Sequence, residues 1–433
     1  MIAPRPHRSL RREHTPGAGR KGGADIRALA DLPLAVSTFT ALSAFVYVFG
    51  FNFLPQGMRS LLAGILAVSA IGAFALELRK QARSPSSAMM TGALLLMLGV
   101  ALITLTAYRP PSDIAVVIRN FSGILLIAWS LTQIRWSAGL ERLLACLGVA
   151  AIALCILLPI IDDPILRAGT LRMGSITSGH ESLHPSAYLT VIVAFWALAM
   201  GYFKKALAPA VLASLILIAI TALYRAEAAI YLLVFLFAAT TISVFLSSKT
   251  NEIVSRAAPI ALLCTFIAFF VILNWTPDSW DLYMGSGRIG AWLDRSQRLA
   301  ERDFWRLLFG QGPGSDAYFG TYTWRDKSTH SHNDFLNVAL ELGLVGIAAF
   351  VVMMVGMVFT APRYLRYFVM IVMLAPFMSG GILFKPTVAP IMALVILHTR
   401  MMYETAKAKR GGRPYRPRLI AFTAPHFRAG LAR

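Results

Sequence analysis

The segment THSHNDFLNVALELGLVGIAAFVVMMVGMV, residues 329–358, sets a polar mouth against a long apolar run. Beyond Asp334 only Asn337 and Glu341 interrupt the apolar sequence, which outlasts the roughly 20 residues that cross a bilayer as a helix. His332 and Asn333 stand at the mouth of that helix. Gly343 and Gly346 lie three residues apart within it, a spacing that lets another helix approach closely.

The rest of the chain is built from similar runs. Hydrophobic residues make up 57% of the 433 and charged residues only 14%, against about a quarter charged in soluble domains. Apolar runs lie at 32–51, 57–76, 88–107, 114–133, 142–160, 186–203, 206–223, 226–246, 258–274, 335–358, 368–383 and 387–402. The sequence therefore predicts an all-α, polytopic membrane protein of about twelve transmembrane helices. One long polar loop, 275–332, contains short helices. Helix-breaking Ser379-Gly380-Gly381 falls within the run at 368–383, and Lys385-Pro386 stands just before the run at 387–402. Cys146, Cys155 and Cys264 all fall inside apolar runs and read as small buried hydrophobes rather than disulfide partners or metal ligands.

The net charge of +20 does not point to nucleic acid, because the basic residues sit in the tails and in every second connection. Arg79, Lys80 and Arg83, then Arg135 and Arg142, then Lys204 and Lys205 mark successive alternate loops; Lys249 and Arg256, then Arg363 and Arg366, continue the series. Such alternation is the signature of cytoplasmic loops. It predicts residues 1–30 as a disordered basic cytoplasmic arm lying on anionic lipid. It predicts 31–403 as the membrane domain and 404–433 as a basic cytoplasmic tail. Both termini are then inside, and the 161–185 loop, the turn at 224–227 and the 275–332 loop face outward.

The outward loops carry arginines that topology does not require. Arg225 follows Tyr224 in a tight turn between apolar runs. Arg288 closes Gly285-Ser286-Gly287 and opens a helix. Arg172 sits in the glycine-flanked stretch 169–174. A guanidinium near the bilayer boundary either snorkels to water or meets an anion, and its fork suits a diphosphate better than an ammonium does. His332 is a candidate base for a hydroxyl proton; His330 reads as a bystander. Over 288–305, Ile289, Trp292, Leu293 and Leu299 fall near one helical face, with Asp294, Arg295, Arg298, Arg302 and Asp303 on the rest, which predicts an amphipathic helix lying at the membrane surface.

Three motifs are decoys. His180-Glu181-Ser182-Leu183-His184 has the zinc-protease spacing, but that motif needs both histidines on one face of a continuous helix. Pro185 follows at once and would clash with the carbonyl of Glu181, so Pro185 instead marks the entry to a span, with His184 near its outer end. Glu301-Arg302-Asp303 is the nearest approach to paired carboxylates and reads as surface salt-bridging. Phe309-Gly310-Gln311-Gly312 lacks the Lys-Ser/Thr of a phosphate loop and reads as a turn that re-aims the chain.

Taken together, these pieces resemble the O-antigen ligase and polysaccharide polymerase family of bacterial membrane glycosyltransferases. The resemblance rests on Leu183-His184-Pro185-Ser186, on Tyr224-Arg225, on Ser286-Gly287-Arg288 through Trp292 to Phe309-Gly310-Gln311-Gly312, and on His332-Asn333 leading into 340–346. The family commonly has Ser where Tyr224 stands and Asn where Ser186 stands. The resemblance implies a glycan donor on a polyprenyl diphosphate and inverting, metal-independent transfer without a cofactor. It implies a glycan or lipid A core acceptor, a bacterial inner-membrane location, a site facing the periplasm, and work beside a chain-length regulator. Carried onto this sequence, Arg225 and Arg288 hold the diphosphate and His332 serves the acceptor hydroxyl, with Arg172, His184 and Asn333 in second rank. The rival classes are a zinc intramembrane protease and a transporter of lipid-linked glycans.

Overall fold

The computed structural model describes residues between Gly23 and Lys409, apart from 51–53, 82–83, 109–113, 133–136, 162–164, 168–169, 173–175, 177–182, 225–228, 235, 237, 239–247, 276–283, 316–322, 325–326, 329–332 and 371–387. The fold is predominantly helical. Helices α1 (Gly23–Gly50), α2 (Gln56–Gln81), α3 (Pro85–Tyr108), α4 (Ile114–Thr132) and α5 (Ala138–Ile161) lead to a short ribbon, β1 (Ile165–Arg167) and β2 (Thr170–Arg172). Then come α6 (Leu183–Lys204), α7 (Leu207–Leu223) and α8 (Ser248–Trp275). The long loop between α8 and α11 forms α9 (Met284–Ala300), α10 (Phe304–Phe309) and a second ribbon, β3 (Thr323–Trp324) and β4 (Lys327–Ser328). Helices α11 (Asp334–Thr360) and α12 (Ala389–Ala408) follow.

Helices α1–α8, α11 and α12 coincide with predicted apolar runs. Of the remaining two runs, 226–246 is helical over 229–234 and 368–383 is entered by a helix over 366–370; their other parts lie largely outside the described residues. Among the described residues, five helices are long and apolar enough to cross a membrane: Leu32–Gly50, Pro85–Ala107, Ala138–Ile161, Ser186–Lys204 and Asp334–Thr360. Their outer faces carry side chains such as Ile103, Val149 and Ile160, all more than 60% exposed. In water such faces would cost about 25 cal/mol per Å²; against lipid tails they cost nothing. Cys155 is buried, but Cys146 and Cys264 are exposed, against the expectation that all three would be buried. An outward position on a helix facing hydrocarbon is apolar without being covered by protein.

The central helix is α12. Every residue from Ala389 to Thr399 is buried, and α12 packs on α1, α4, α5 and α6. A helix that is apolar all round belongs inside a bundle. Its one buried imidazole, His398, accepts the indole N–H of Trp196 at Nδ1 over 2.9 Å, which leaves the ring proton on Nε2.

Polar contacts sort the two ends of the bundle. At one end Glu141 meets Lys204 at 2.7 Å and Thr405 at 3.2 Å. Glu252 meets Arg256 at 2.6 Å and Arg363 at 2.5 Å. Arg366 donates to Ser255, Arg400 to the Ser130 carbonyl, and Tyr364 stacks on Tyr403. These contacts gather the starts of α5 and α8 with the ends of α4, α6, α11 and α12. Basic connections that the sequence assigns to one side of the membrane therefore do share one end.

Helices α3 and α11 run antiparallel in close contact. A Cβ on Gly356 would lie 2.9 Å from Cβ and 3.0 Å from Cα of Met90. Gly356→Leu is therefore expected to force α3 from α11 and to destabilise the protein by roughly 1–3 kcal/mol. Thermal unfolding in detergent measures this, and an unchanged midpoint would contradict the close packing.

Candidate active site

At the opposite end, α6 begins where α7 finishes. Ser186, fully buried, accepts the Ile176 N–H at Oγ over 3.0 Å, tying the 161–185 loop to the first turn of α6. One turn deeper, Thr190 and Thr221 share a hydroxyl hydrogen bond of 2.6 Å between α6 and α7. Tyr224 closes α7, its N–H donating to the Ile220 carbonyl at 3.1 Å, and it is fully buried. Position 225 is thus reached from an anchored tyrosine, although Arg225 itself lies outside the described residues.

The loop helix α9 joins the same end through α11. Ile289, Trp292 and Leu293 form a buried cluster with Leu336, in the first turn of α11. The turn that follows Arg288 thereby rests on the turn that follows His332. Asn333 caps α11: its Oδ1 accepts from the N–H groups of Phe335 at 2.9 Å and Leu336 at 3.2 Å. Satisfying two otherwise open helix donors fixes the angle at which the chain enters from His332. The side-chain oxygen of Asn333 is committed to this cap.

The prediction of a surface-lying helix over 288–305 is corrected in two ways. The apolar face of α9 is spent on α11, and Arg295 is only 1% exposed. Asp294 holds Arg295 through Oδ2 at 2.5 Å and Arg298 through Oδ1 at 3.2 Å. A helix clasped by protein on its apolar side buries its flank as well, and charges there need a partner. At 301–303 the surface pairing holds for Asp303, which meets the exposed Arg306 at 3.3 Å, but Arg302 is not simply solvated. Arg302 donates through Nη1 to the Leu340 carbonyl at 2.7 Å and through Nη2 to Gln311 Oε1 at 3.0 Å. Burial, then the adjacent Arg306, pulls its guanidinium down to about 10, so it stays charged at neutral pH.

That contact marks a break in α11. Gly343 has φ 67° and ψ −164° inside the helix. Around it, the Leu340 carbonyl accepts from Gln311 N–H at 3.1 Å and the Glu341 carbonyl from Gly312 N–H at 2.9 Å. The turn after α10 has been pushed into the gap, with positive φ at Gly310, Gly312 and Gly314. A Cβ at Gly310 would meet the Glu341 oxygen at 2.2 Å, and one at Gly343 would meet the Gly310 nitrogen at 2.5 Å. Only glycine fits at either side of this joint.

The predicted residues are placed as follows. Arg288 is the fifth residue of α9, which begins at Met284 and takes Gly285-Ser286-Gly287 into the helix instead of opening at Arg288; His184 is the second residue of α6, and Arg172 ends β2. The side chains of these three lie outside the described residues, as do Arg225 and His332 entirely. Asn333 and the neighbours of the others are gathered at one end of the bundle. In the zinc-like motif, α6 starts at Leu183 with Pro185 in its first turn, where proline is tolerated; His180 lies outside the described residues. Arg295 and Arg302 were not singled out from sequence as site residues. A signal did exist: Arg295 lies seven residues after Arg288, which two helical turns bring back to nearly the same face.

No family model matches the chain, and no curated protein matches it.

Two outcomes test the joint and the cap. Gly343→Ala is expected to lose on the order of 1–3 kcal/mol from backbone strain alone, read as a lower unfolding midpoint of the purified protein; retention of the wild-type midpoint would show that the break is not needed. Asn333→Ala should cost about 1 kcal/mol while Asn333→Ser keeps most of it, and equal stability of the two variants would remove the capping role.

Proposed function

We propose that the protein is a membrane glycosyltransferase of the O-antigen ligase and polysaccharide polymerase type. It moves glycan from a polyprenyl diphosphate carrier to an acceptor hydroxyl on the outer face of a bacterial inner membrane. The observation that carries this reading is the α9–α11 joint, where Ile289 and Leu336 pack together: one residue before the first and four before the second stand Arg288 and His332. The α6–α7 corner, with Tyr224 ahead of Arg225, belongs to the same end and adds support.

In this reaction the acceptor oxygen attacks the anomeric carbon from the side opposite the carrier. The bond from that carbon to the diphosphate oxygen breaks, and the configuration inverts. His332 orients the hydroxyl and takes its proton. Arg225 and Arg288 hold the diphosphate and offset the negative charge that grows as it leaves, with Arg172 and His184 in supporting positions. Asn333 acts through the cap that aims His332. The carrier is confined to the bilayer and reaches this end of the bundle from lipid.

The test compares surface polysaccharide from a deletion strain carrying the wild-type gene or the His332→Ala gene. Extension or attachment is expected to stop with His332→Ala at normal protein abundance. Single repeats on the carrier would assign a polymerase, and full chains stranded on the carrier a ligase; unaltered glycan would remove the proposal and favour a transporter. Arg288→Lys should reduce product by roughly 10- to 100-fold despite the retained charge, the equivalent of a lost charge-assisted hydrogen bond. Wild-type product from that variant would remove the fork's role.

A further inference from the structure

The long loop between α8 and α11 contains one helix whose aromatic side chains are left uncovered. Phe304 is 67% exposed and Trp305 62% exposed, and no residue of α10 is buried. The rings form a patch: Phe304 lies edge-on to Trp305 with centroids 5.3 Å apart, and Trp305 stacks parallel to Phe309 at 6.2 Å. Arg306, half exposed, is paired with Asp303, which also caps the helix. Large aromatic rings beside a long cationic side chain form the composition favoured where headgroups meet acyl chains.

The joint with α11 sets the depth of this patch. The turn leaving α10 binds the carbonyls of Leu340 and Glu341, six or seven residues into α11 and so about 10 Å along its axis. Past its break at Gly343, α11 continues from Leu344 to Thr360, about 25 Å of helix, against a hydrocarbon core roughly 30 Å thick. Its apolar sequence runs unbroken to Phe359, while Asn337 and Glu341 interrupt its first turns, so this straight part crosses most of the core and the break falls near its edge at the Asn333 end. The hook therefore stands at the edge of the hydrocarbon. Trp275, 81% exposed at the last residue of α8, is a further exposed aromatic residue at this end.

We infer that α10 is an interfacial foot: Phe304 and Trp305 sit in the bilayer boundary at this end of the molecule, in contact with lipid. A protein partner fits less well. Two rings exposed to this degree offer roughly 300 Å², short of the about 800 Å² per partner of a stable interface. The inference stands apart from glycan transfer. It reassigns the lipid-contacting part of the loop from α9, which is clasped by α11, to α10.

The full-length protein in nanodiscs tests this, using phosphatidylcholine that is unbrominated, brominated near the headgroup end of the acyl chain, or brominated near its methyl end. The contribution of Trp305 is the difference in tryptophan fluorescence between wild type and Trp305→Phe, a change at an exposed position that leaves packing intact. That difference is expected to be quenched most by bromine near the headgroup end, less by bromine near the methyl end, and little by aqueous iodide. If bromine in either place leaves the Trp305 signal unchanged, the inference fails. Quenching by iodide would then put the ring in water, and quenching by neither would put it under another protein chain.

Discussion

A helix that breaks at the edge of a bilayer leaves carbonyl groups with no partner, and hydrocarbon supplies none. In α11 the break at Gly343 is healed by a piece of the loop before it: Gln311 and Gly312 donate their N–H groups, and Arg302 adds its guanidinium. The cost of leaving even one such carbonyl bare is several kcal/mol, so the loop is bound to the helix by a requirement of the helix itself. Gly310 and Gly343 allow the two backbones to meet, since a side chain on either would overlap the other strand of the joint.

Much follows from that docking. It fixes α10 at the bilayer boundary and stands α9 against the first turn of α11. There the cap made by Asn333 directs the chain toward His332. At the far end of the bundle, ion pairs among Glu141, Lys204, Glu252 and Arg363 tie together connections that are distant in sequence. One end is thus stapled by charges, while the other is shaped by capped helix termini, a buried hydroxyl pair and a wedged loop. The second end is the one to which the proposed transferase reading assigns Arg225, Arg288 and His332.

The helical layout was legible because bilayer-length apolar runs leave few alternatives, and helices stand on most of them. Alternation of basic loops likewise anticipated which helix ends would meet. What could not be read was which run sits in the middle: α12 looked compromised by the nearby Ser379-Gly380-Gly381 and Lys385-Pro386, yet Ala389 to Thr399 is wholly buried. Apolar sequence alone does not distinguish a lipid neighbour from a protein one, which is also why Cys146 and Cys264 were expected inside and lie outside. In the loop, the aromatic and charged residues of α9 fitted a surface helix equally well. Only the tertiary partner Leu336 shows that this face is taken, and that Arg295 turns inward. Gly343 and Gly346 announced close packing, but not that the close neighbour would be the backbone of Gly310.

The central claim is that α9 is clasped against the start of α11, so that the turns after Arg288 and His332 are in contact. Its most direct measurement is oxidative cross-linking in intact membranes of an Ile289→Cys/Leu336→Cys protein lacking the three native cysteines, with Gln297→Cys/Leu336→Cys as the control from the exposed side of α9. The account predicts an intramolecular disulfide in the first pair and none in the second. Cross-linking of the control alone, or of neither pair with both thiols present, would contradict it.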